Sequence, residues 1–348
     1  MLSKINSVQY LNITEEQNDQ RIDNFLYALF NRQIPRAFIY GLIRTGQVRV
    51  NSGRIKPGYH LNINDLLRIP PIKFTPKQDD INVIKKPNKQ YLDFWQKKLS
   101  KAIIFEDDNL LIINKPAQIA VHGGSKVTIG LIEILRNLRP NDHFLELVHR
   151  IDQDTSGCLM VAKKRSYLKK LHTLLREQKI TKVYSAVVCG AFPKKKTVEL
   201  SLKKIIKSSK EHFVKIDPTG SYAKTEFILE KTFNIANYLN NLKHRSSPQQ
   251  TSNPHNQQYS LIIAKPSTGK THQIRVHLAH MGFPIVNDDK YGHREYNSAD
   301  KTFWPERMFL HAKGLRFMCP IKGTIISVDA DYDKDLINFL AKLEQMSG

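Results

Sequence analysis

Val148-His149-Arg150-Ile151-Asp152-Gln153-Asp154-Thr155-Ser156-Gly157 sets one carboxylate, Asp152, directly behind a histidine and an arginine, and closes on a Thr-Ser-Gly turn. The apolar residues Phe144, Leu145, Leu147 and Val148 lead into this stretch, and Leu159, Met160, Val161 and Ala162 lead out of it. Two buried strands with a charged loop between them make a rigid mount for a functional group. A bare Arg-x-Asp triplet is also what an ordinary surface ion pair at a turn looks like. The apolar block on both sides is what favours a site at Asp152.

Around this loop the chain is strongly basic. It carries 54 Lys and Arg against 32 Asp and Glu, a formal charge of +22 over 348 residues. Such an excess points to a polyanion whose phosphates release counterions on binding, so nucleic acid is the leading partner; a merely solubilising charge is the alternative. With 41% hydrophobic residues there is core for one small and one large domain. Cys158, Cys189 and Cys319 have no paired ligand spacing and lie in or beside apolar stretches, as buried free thiols of a reducing compartment do. Residues 1–17 lack a signal pattern and no stretch reaches membrane-spanning length, so the cytoplasm and no membrane partner are the expectation; a monomer is expected as well.

Outward toward the N-terminus, Ile22, Phe25, Leu26, Leu29 and Phe30 have helical spacing, with Asn18 or Asp19 able to cap. A second stripe, Phe38, Ile39, Leu42 and Ile43, follows Pro35 and stops at Gly46; Arg36 and Arg44 fall off it. Val48 and Val50 alternate with Arg49, Asn51-Ser52-Gly53 is turn chemistry, and Leu66 to Ile69 reads as a strand. Residues 81–100 read as a linker, within a Lys-, Pro-, Asp- and Gln-rich stretch from Thr75, with an amphipathic patch at Tyr91, Phe94 and Trp95 suited to docking on the next domain.

From Lys101 the pattern is short strands and turns. Ile103 to Phe105 and Leu110 to Ile113 form a hairpin ending at Asn114-Lys115-Pro116, and helices are predicted over Ile129 to Arg136 and Ser166 to Glu177. Further strands are predicted over Lys182 to Val188, Thr197 to Leu202, Ala223 to Phe233, Tyr259 to Ala264 and Gly323 to Val328. The fold class is α+β with a mixed or antiparallel sheet. Residues 240–258, rich in Asn, Gln, Ser, Pro and His, read as a disordered insertion inside a long hairpin. The lysines of Lys194 to Lys210 fit either an RNA-facing surface or a solvated hairpin.

Two further motifs bear on chemistry. Ala264 to Thr271 comes close to a nucleotide-binding P-loop, but the opening glycine is an alanine, Pro266 removes a backbone donor, and no downstream strand ends in a magnesium-binding aspartate. His272, His277 and His280, at spacings of five and three, do not place three ligands on one helix face, so packing or RNA contact is expected of them and no metal.

The Val148 to Gly157 run resembles the signature loop of the large-subunit ribosomal pseudouridine synthases. The resemblance implies that Asp152 is catalytic, that Arg150 helps take the target nucleotide out of its helix, and that His149 belongs to the same substrate-binding loop. Lys182 to Val187 resembles the family's tyrosine strand, so Tyr184 would lie against the target base and assist deprotonation at carbon 5. Gly269-Lys270-Thr271-His272-Gln273-Ile274-Arg275-Val276-His277 resembles its basic block, so Arg275 would pair with the catalytic carboxylate and keep it charged. Lys270 replaces the usual arginine there and keeps the charge without the planar fork. Met308 to Ala312 matches a phrase whose leucine, here Leu310, closes the pocket. Gln20 to Leu26, Arg54 to Pro57 and Val121 to Gly124 extend the likeness over nearly the whole chain.

Residues 18–80 resemble an alpha-L RNA-binding module of the S-four type, most clearly at Gln47 to Asn51. That implies phosphate contacts at Arg36, Arg44, Arg49 and Lys56, which would otherwise be a solvated face. The catalytic domain would then span 101–348. The expected activity is isomerisation of uridines to pseudouridine in large-subunit ribosomal RNA, with no cofactor and no metal. Asp152 could attack the anomeric carbon, remove a neighbouring sugar proton, or attack the base. A non-catalytic RNA-binding or ribosome-assembly factor would explain the charge and the N-terminal module, but gives no reason for Asp152, Tyr184 and Arg275 to occur together.

Overall fold

The computed structural model describes residues 4–30, 34–73, 89–123, 129–142, 144–208, 211–236, 258–292 and 305–347. They fall into two compact units, one within 1–86 together with 164–166, the other within 87–163 and 167–348.

In the first unit helices α1 (Ile22–Leu29) and α2 (Arg36–Arg44) bury Ile22 and Leu26, and Ile39, Leu42 and Ile43. These are the residues whose three- and four-residue spacing puts them on one face. Gly46, at φ 72°, ends α2 in the left-handed conformation that suits glycine. Strands β2 (Gln9–Asn12), β3 (Arg49–Val50) and β4 (Leu66–Ile69) make an antiparallel sheet in the order β2-β4-β3, and β1 (Lys4–Ile5) pairs with β5 (Ile72–Lys73). Asn51 and Ser52 both have positive φ, the pairing a tight two-residue turn between Val50 and Gly53 requires. Val48, Val50, Leu61, Leu67 and Ile69 close a core under the two helices. Strand β2 lies ahead of the segment read as structured, because four residues alternating between half-buried and exposed give no apolar run.

The second unit is built on one mixed sheet. Its main path runs β12 (Glu211–Ile216), β11 (Lys195–Ser208), β13 (Ser221–Asn234), β14 (Gln258–Pro266), β10 (Thr181–Cys189), β15 (Leu310–Met318), β9 (Ser156–Ala162), β7 (Leu110–Lys115), β6 (Ile103–Glu106). Strand β16 (Ile325–Asp329) pairs with β15, and β8 (Glu146–Leu147) with β9. The pairs are antiparallel except β15 with β9, which is parallel. Period-two alternation covers both faces of β10: Ala186 and Val188 pack with Ile274 and Leu278 of helix α6 (Gln273–His280), and Val187 and Cys189 with Leu336 and Phe339 of helix α7 (Lys334–Ser347). Every residue of β9 is buried. Its neighbours β7 and helices α4 (Leu131–Leu138) and α5 (Arg165–Arg176) complete the largest core cluster.

Three readings change. Within the linker expected over 81–100, residues 89–100 form helix α3 (Lys89–Ser100); of its aromatic patch Trp95 docks as expected, entering the core with Leu99, while Tyr91 and Phe94 stay exposed; residues 74–88 lie outside those described. Strand β12 and helix α7 were not foreseen. Of the expected insertion, 240–257 lies outside the described residues, and Gln258 already begins β14. Among the basic residues from Lys194 on, Lys195 pairs with Glu226, and Lys203 lies 3.9 Å from Asp217, so part of that surface is internally neutralised.

Candidate active site

The loop between β8 and β9 is fixed from below. Val148 and Ile151 are buried in the main core, the Val148 amide donates to Met160 O (3.0 Å), and the Thr155 amide closes the turn onto Asp152 O (3.2 Å). Lys115, fully buried at the end of β7, donates from Nζ to Pro116 O (2.8 Å), Ile119 O (3.0 Å) and Gln153 O (2.9 Å). Burial pushes its ammonium down to about 7, against the pull of Asp154 and Asp152. Three accepting carbonyls use all three ammonium protons, so the geometry is that of the charged form. Gly157, at φ 105°, leaves the loop where no side chain fits: a Cβ there would sit 2.3 Å from Ala312 O. Ser156 beside it donates to His311 Nδ1 (2.7 Å) and accepts from Arg307 Nη2 (2.8 Å), while His311 Nε2 donates to Ala330 O (3.0 Å).

This mount leaves Asp152 part-exposed, facing helix α6. Arg275 of α6, 3% exposed, reaches Asp152 Oδ2 from Nη1 at 3.2 Å. Its Nε and Nη2 make a fork on Asp288 at 2.8 and 2.7 Å, and Nη2 also approaches Asp289 at 3.4 Å. Burial opposes the guanidinium charge, but the bonds and charge of Asp288, with Asp152, outweigh it and hold Arg275 above its ordinary value. Asp154, next along the loop, is pushed up by burial and by Asp289.

Tyr184 lies on β10 where Val183 pairs with Gly314 and Ser185 with His311, so Ala312 and Lys313 together oppose it. Such a bulge re-aims a side chain. Burial, then the charge of Asp152, raises the phenol above its ordinary value, so it carries its proton at neutral pH. Leu310 is buried beside Ala186, its register partner on β10. Arg150 is exposed and bonded to no carboxylate among the described residues. His149 is turned inward instead: its Nε2 accepts from the Met160 amide (3.2 Å), and burial and Lys182 hold the ring down at about 4. It fastens the loop to β9, a task the sequence did not signal.

The block ahead of α6 is locked by Gln273. Its Oε1 accepts from Thr268 Oγ1 (2.7 Å) and the Lys270 amide (3.0 Å), and its Nε2 donates to Lys224 O and Thr225 Oγ1 (both 2.9 Å). The Ser267 amide is taken by Lys224 O (3.0 Å). Two amides that a phosphate-cradling loop would need are therefore committed, and Asp288 is engaged by Arg275 rather than open to magnesium. The P-loop reading ends there. The Lys270 side chain is exposed. His272 and His277 face different partners, Tyr291 Oη (2.7 Å) and Thr225 Oγ1 (3.1 Å).

In the first unit Arg36, Arg44 and Lys56 are exposed and Arg49 half-buried. Arg36 donates to Asn24 (3.0 Å) and stacks on Tyr27 (4.4 Å); Arg49 donates to Gly46 O (3.0 Å). Sequence reasoning missed Arg68 and Tyr10. Register places Tyr10, Arg68 and Arg49 side by side across β2, β4 and β3, with Tyr10 60% exposed, and the three line one shallow cleft. Two cations beside an aromatic ring suit a phosphate and a base. Asp288 and Lys115 were missed as well. A lysine closing the apolar strand Leu110 to Ile113 is a signal in itself, since lysines are almost never fully buried without partners.

Comparison with known proteins agrees with this architecture. A family model described as RNA pseudouridylate synthase matches residues 109–280, and the S4 domain model matches residues 20–67. Proteins named ribosomal large subunit pseudouridine synthase C are similar along almost their full length. The one from Pasteurella multocida (strain Pm70) is 41% identical, covering 97% of this chain and 95% of its own. The one from Escherichia coli (strain K12) is 39% identical over 99% of each. Among solved structures, Human RNA Pseudouridylate Synthase Domain Containing 4 superposes with a TM-score of 0.54 at 20% identity, over 74% of this chain and 98% of that one. Human RNA Pseudouridylate Synthase Domain Containing 1 does so with 0.53 at 23%, over 69% and 86%. Those two likenesses are of fold.

Proposed function

We infer, because this chain belongs to the RNA pseudouridylate synthase family, that it isomerises uridine to pseudouridine, and we propose large-subunit ribosomal RNA as its substrate. The relatives similar to it from end to end carry that substrate in their names, and a +22 chain with an S4 domain suits a long RNA. Among the described residues no helix is long and apolar enough to cross a membrane; the cytoplasm, where ribosomal RNA is found, is the proposed location.

The reaction breaks the bond from uracil nitrogen to the sugar, turns the base, and rejoins it through carbon 5, so no atom is gained or lost. We assign the reacting carboxylate to Asp152; the observation that carries this is its one-sided hold, Oδ2 on Arg275 at 3.2 Å, above a loop fixed by Lys115 and Ser156. Preorganised charge in a partly enclosed site needs little rearrangement as the reaction proceeds. Tyr184 lies against the base and assists at carbon 5. Arg150, exposed at the loop's rim, fills the gap left by the flipped nucleotide, whose lost stacking costs a few kcal/mol. Residues 18–80 grip RNA and 101–348 carry the chemistry.

The test is purified full-length protein on unmodified large-subunit RNA without added nucleotide, with pseudouridine mapped afterwards. Product is expected for the native chain, and none for Asp152→Asn, whose RNA affinity stays near native. Appreciable single-turnover activity in that variant would remove Asp152 from its role.

A further inference from the structure

His272 has a backbone that histidine rarely adopts, φ 53° and ψ 21°, at the entry to α6. A left-handed non-glycine residue persists where its surroundings over-determine it, and such residues gather at functional sites. What the conformation achieves here is an aim. The ring is 5.5 Å from that of Tyr291, edge to face, and Nδ1 lies 2.7 Å from Tyr291 Oη. The Val214 amide donates to the same Oη at 2.9 Å. Among the described residues His272 Nδ1 is the acceptor bonded to that hydroxyl, so the phenol donates to it and the ring carries its own proton on Nε2. Nε2 is 3.9 Å from Asp152 Oδ2, one small rotation beyond hydrogen-bond length.

Arg275 and His272 thus converge on the same oxygen of Asp152. Among the described residues no hydrogen bond reaches Oδ1. We propose that His272 is a positioning residue: with its tautomer set by Tyr291, it holds Oδ2 together with Arg275, so that Oδ1 is the oxygen presented to the nucleotide. Burial keeps the imidazole below its usual range, with Arg275 and Lys290 opposing its charge and Asp152 and Asp288 favouring it, so at neutral pH it works as a neutral donor. The Tyr291 ring is in turn fixed by the Arg275 guanidinium stacked 5.1 Å from its centre, which ties the two holders of Oδ2 into one assembly.

This inference rests on Asp152 being the reacting carboxylate, and its test separates the two. Single-turnover rates and RNA affinities are measured on the full chain for His272→Gln, His272→Met, Tyr291→Phe and Asp152→Asn. Gln and Met match each other in length and in left-handed backbone cost, and differ in having a donor to offer Asp152. Loss of about an ångström of alignment slows a reaction steeply, so His272→Met is expected to be at least about tenfold slower at unchanged affinity, while His272→Gln stays within about threefold of native. Tyr291→Phe, which leaves the imidazole in place but releases its tautomer, should be slowed several-fold and covers the case in which a His272 variant melts early. Met as fast as the native chain, Gln as slow as Met, or an unslowed Tyr291→Phe overturns the proposal. An active Asp152→Asn overturns the site reading beneath it.

Discussion

Lys115 spends its whole hydrogen-bonding capacity on three carbonyls, one of which belongs to Gln153, the neighbour of Asp152. Lys115→Met fills the same space but leaves those oxygens without their donor, at about 1 kcal/mol or more each. A loss of roughly 3 kcal/mol in denaturant unfolding is expected; a loss under about 1 kcal/mol would show that other donors reach them. In the same site, Arg275→Ala should cost more activity than Lys270→Ala. Arg275 bridges Asp152 and Asp288, whereas the Lys270 side chain is exposed, and the reverse order in single-turnover rates would contradict the assignment. The pairing of Arg275 with Asp152 was legible in the sequence because each lies in a short motif, and the roles proposed for them and for Tyr184 rest on the same motifs. Asp288, Tyr291 and the aim of His272 could not: their contacts join α6 to a turn that follows it, and they have meaning only once the chain has folded back.

Elements were legible where burial follows a simple period. The stripes of α1 and α2 and the apolar runs of β7, β9 and β10 were all placed, since a core face or a doubly buried strand writes itself into the sequence. Strand β12 and helix α3 were not. The first is short and lies among lysines, and the second buries only Trp95 and Leu99 in twelve residues. Between elements, two fully buried histidines act as ties: His277 joins α6 to Thr225 of β13, and His311 joins β15 to Ser156 of β9. Burial pushes both down to about 4 from 6.5. Below pH 6.5 the unfolded chain takes up protons that these folded sites refuse, so their stabilising effect is whole above 6.5 and is lost as pH falls toward 4. Each should cost about 2 kcal/mol of stability by pH 5. Unfolding free energies measured from pH 7 to 5 are expected to fall, and a flat profile would mean that the two rings are more accessible to water than their burial implies.

At the scale of the whole molecule, two cores are built from separate residues: among the described residues, the buried members of the one under α1 and α2 run from Ile13 to Ile72, and those of the clusters around the large sheet from Trp95 onward. Separate cores allow recognition and chemistry to be changed independently. The row of Arg49 and Arg68 beside Tyr10 offers cations to an RNA backbone, and each phosphate contact removed should flatten the logarithmic salt dependence of binding by roughly 0.7 to 0.9. Arg49→Gln with Arg68→Gln is therefore expected to weaken binding to long ribosomal RNA and lower the salt slope by up to about 1.8, with the single-turnover rate at saturating enzyme close to native. Deleting residues 1–80 should carry the same change further while leaving pseudouridine formation at high enzyme concentration, because Asp152, Tyr184 and Arg275 lie beyond the cut. An unchanged slope in both proteins would move recognition onto the lysines of β11 to β13. Lys195 and Lys215 are already paired there with Glu226 and Asp217, which is why the first unit is the stronger expectation.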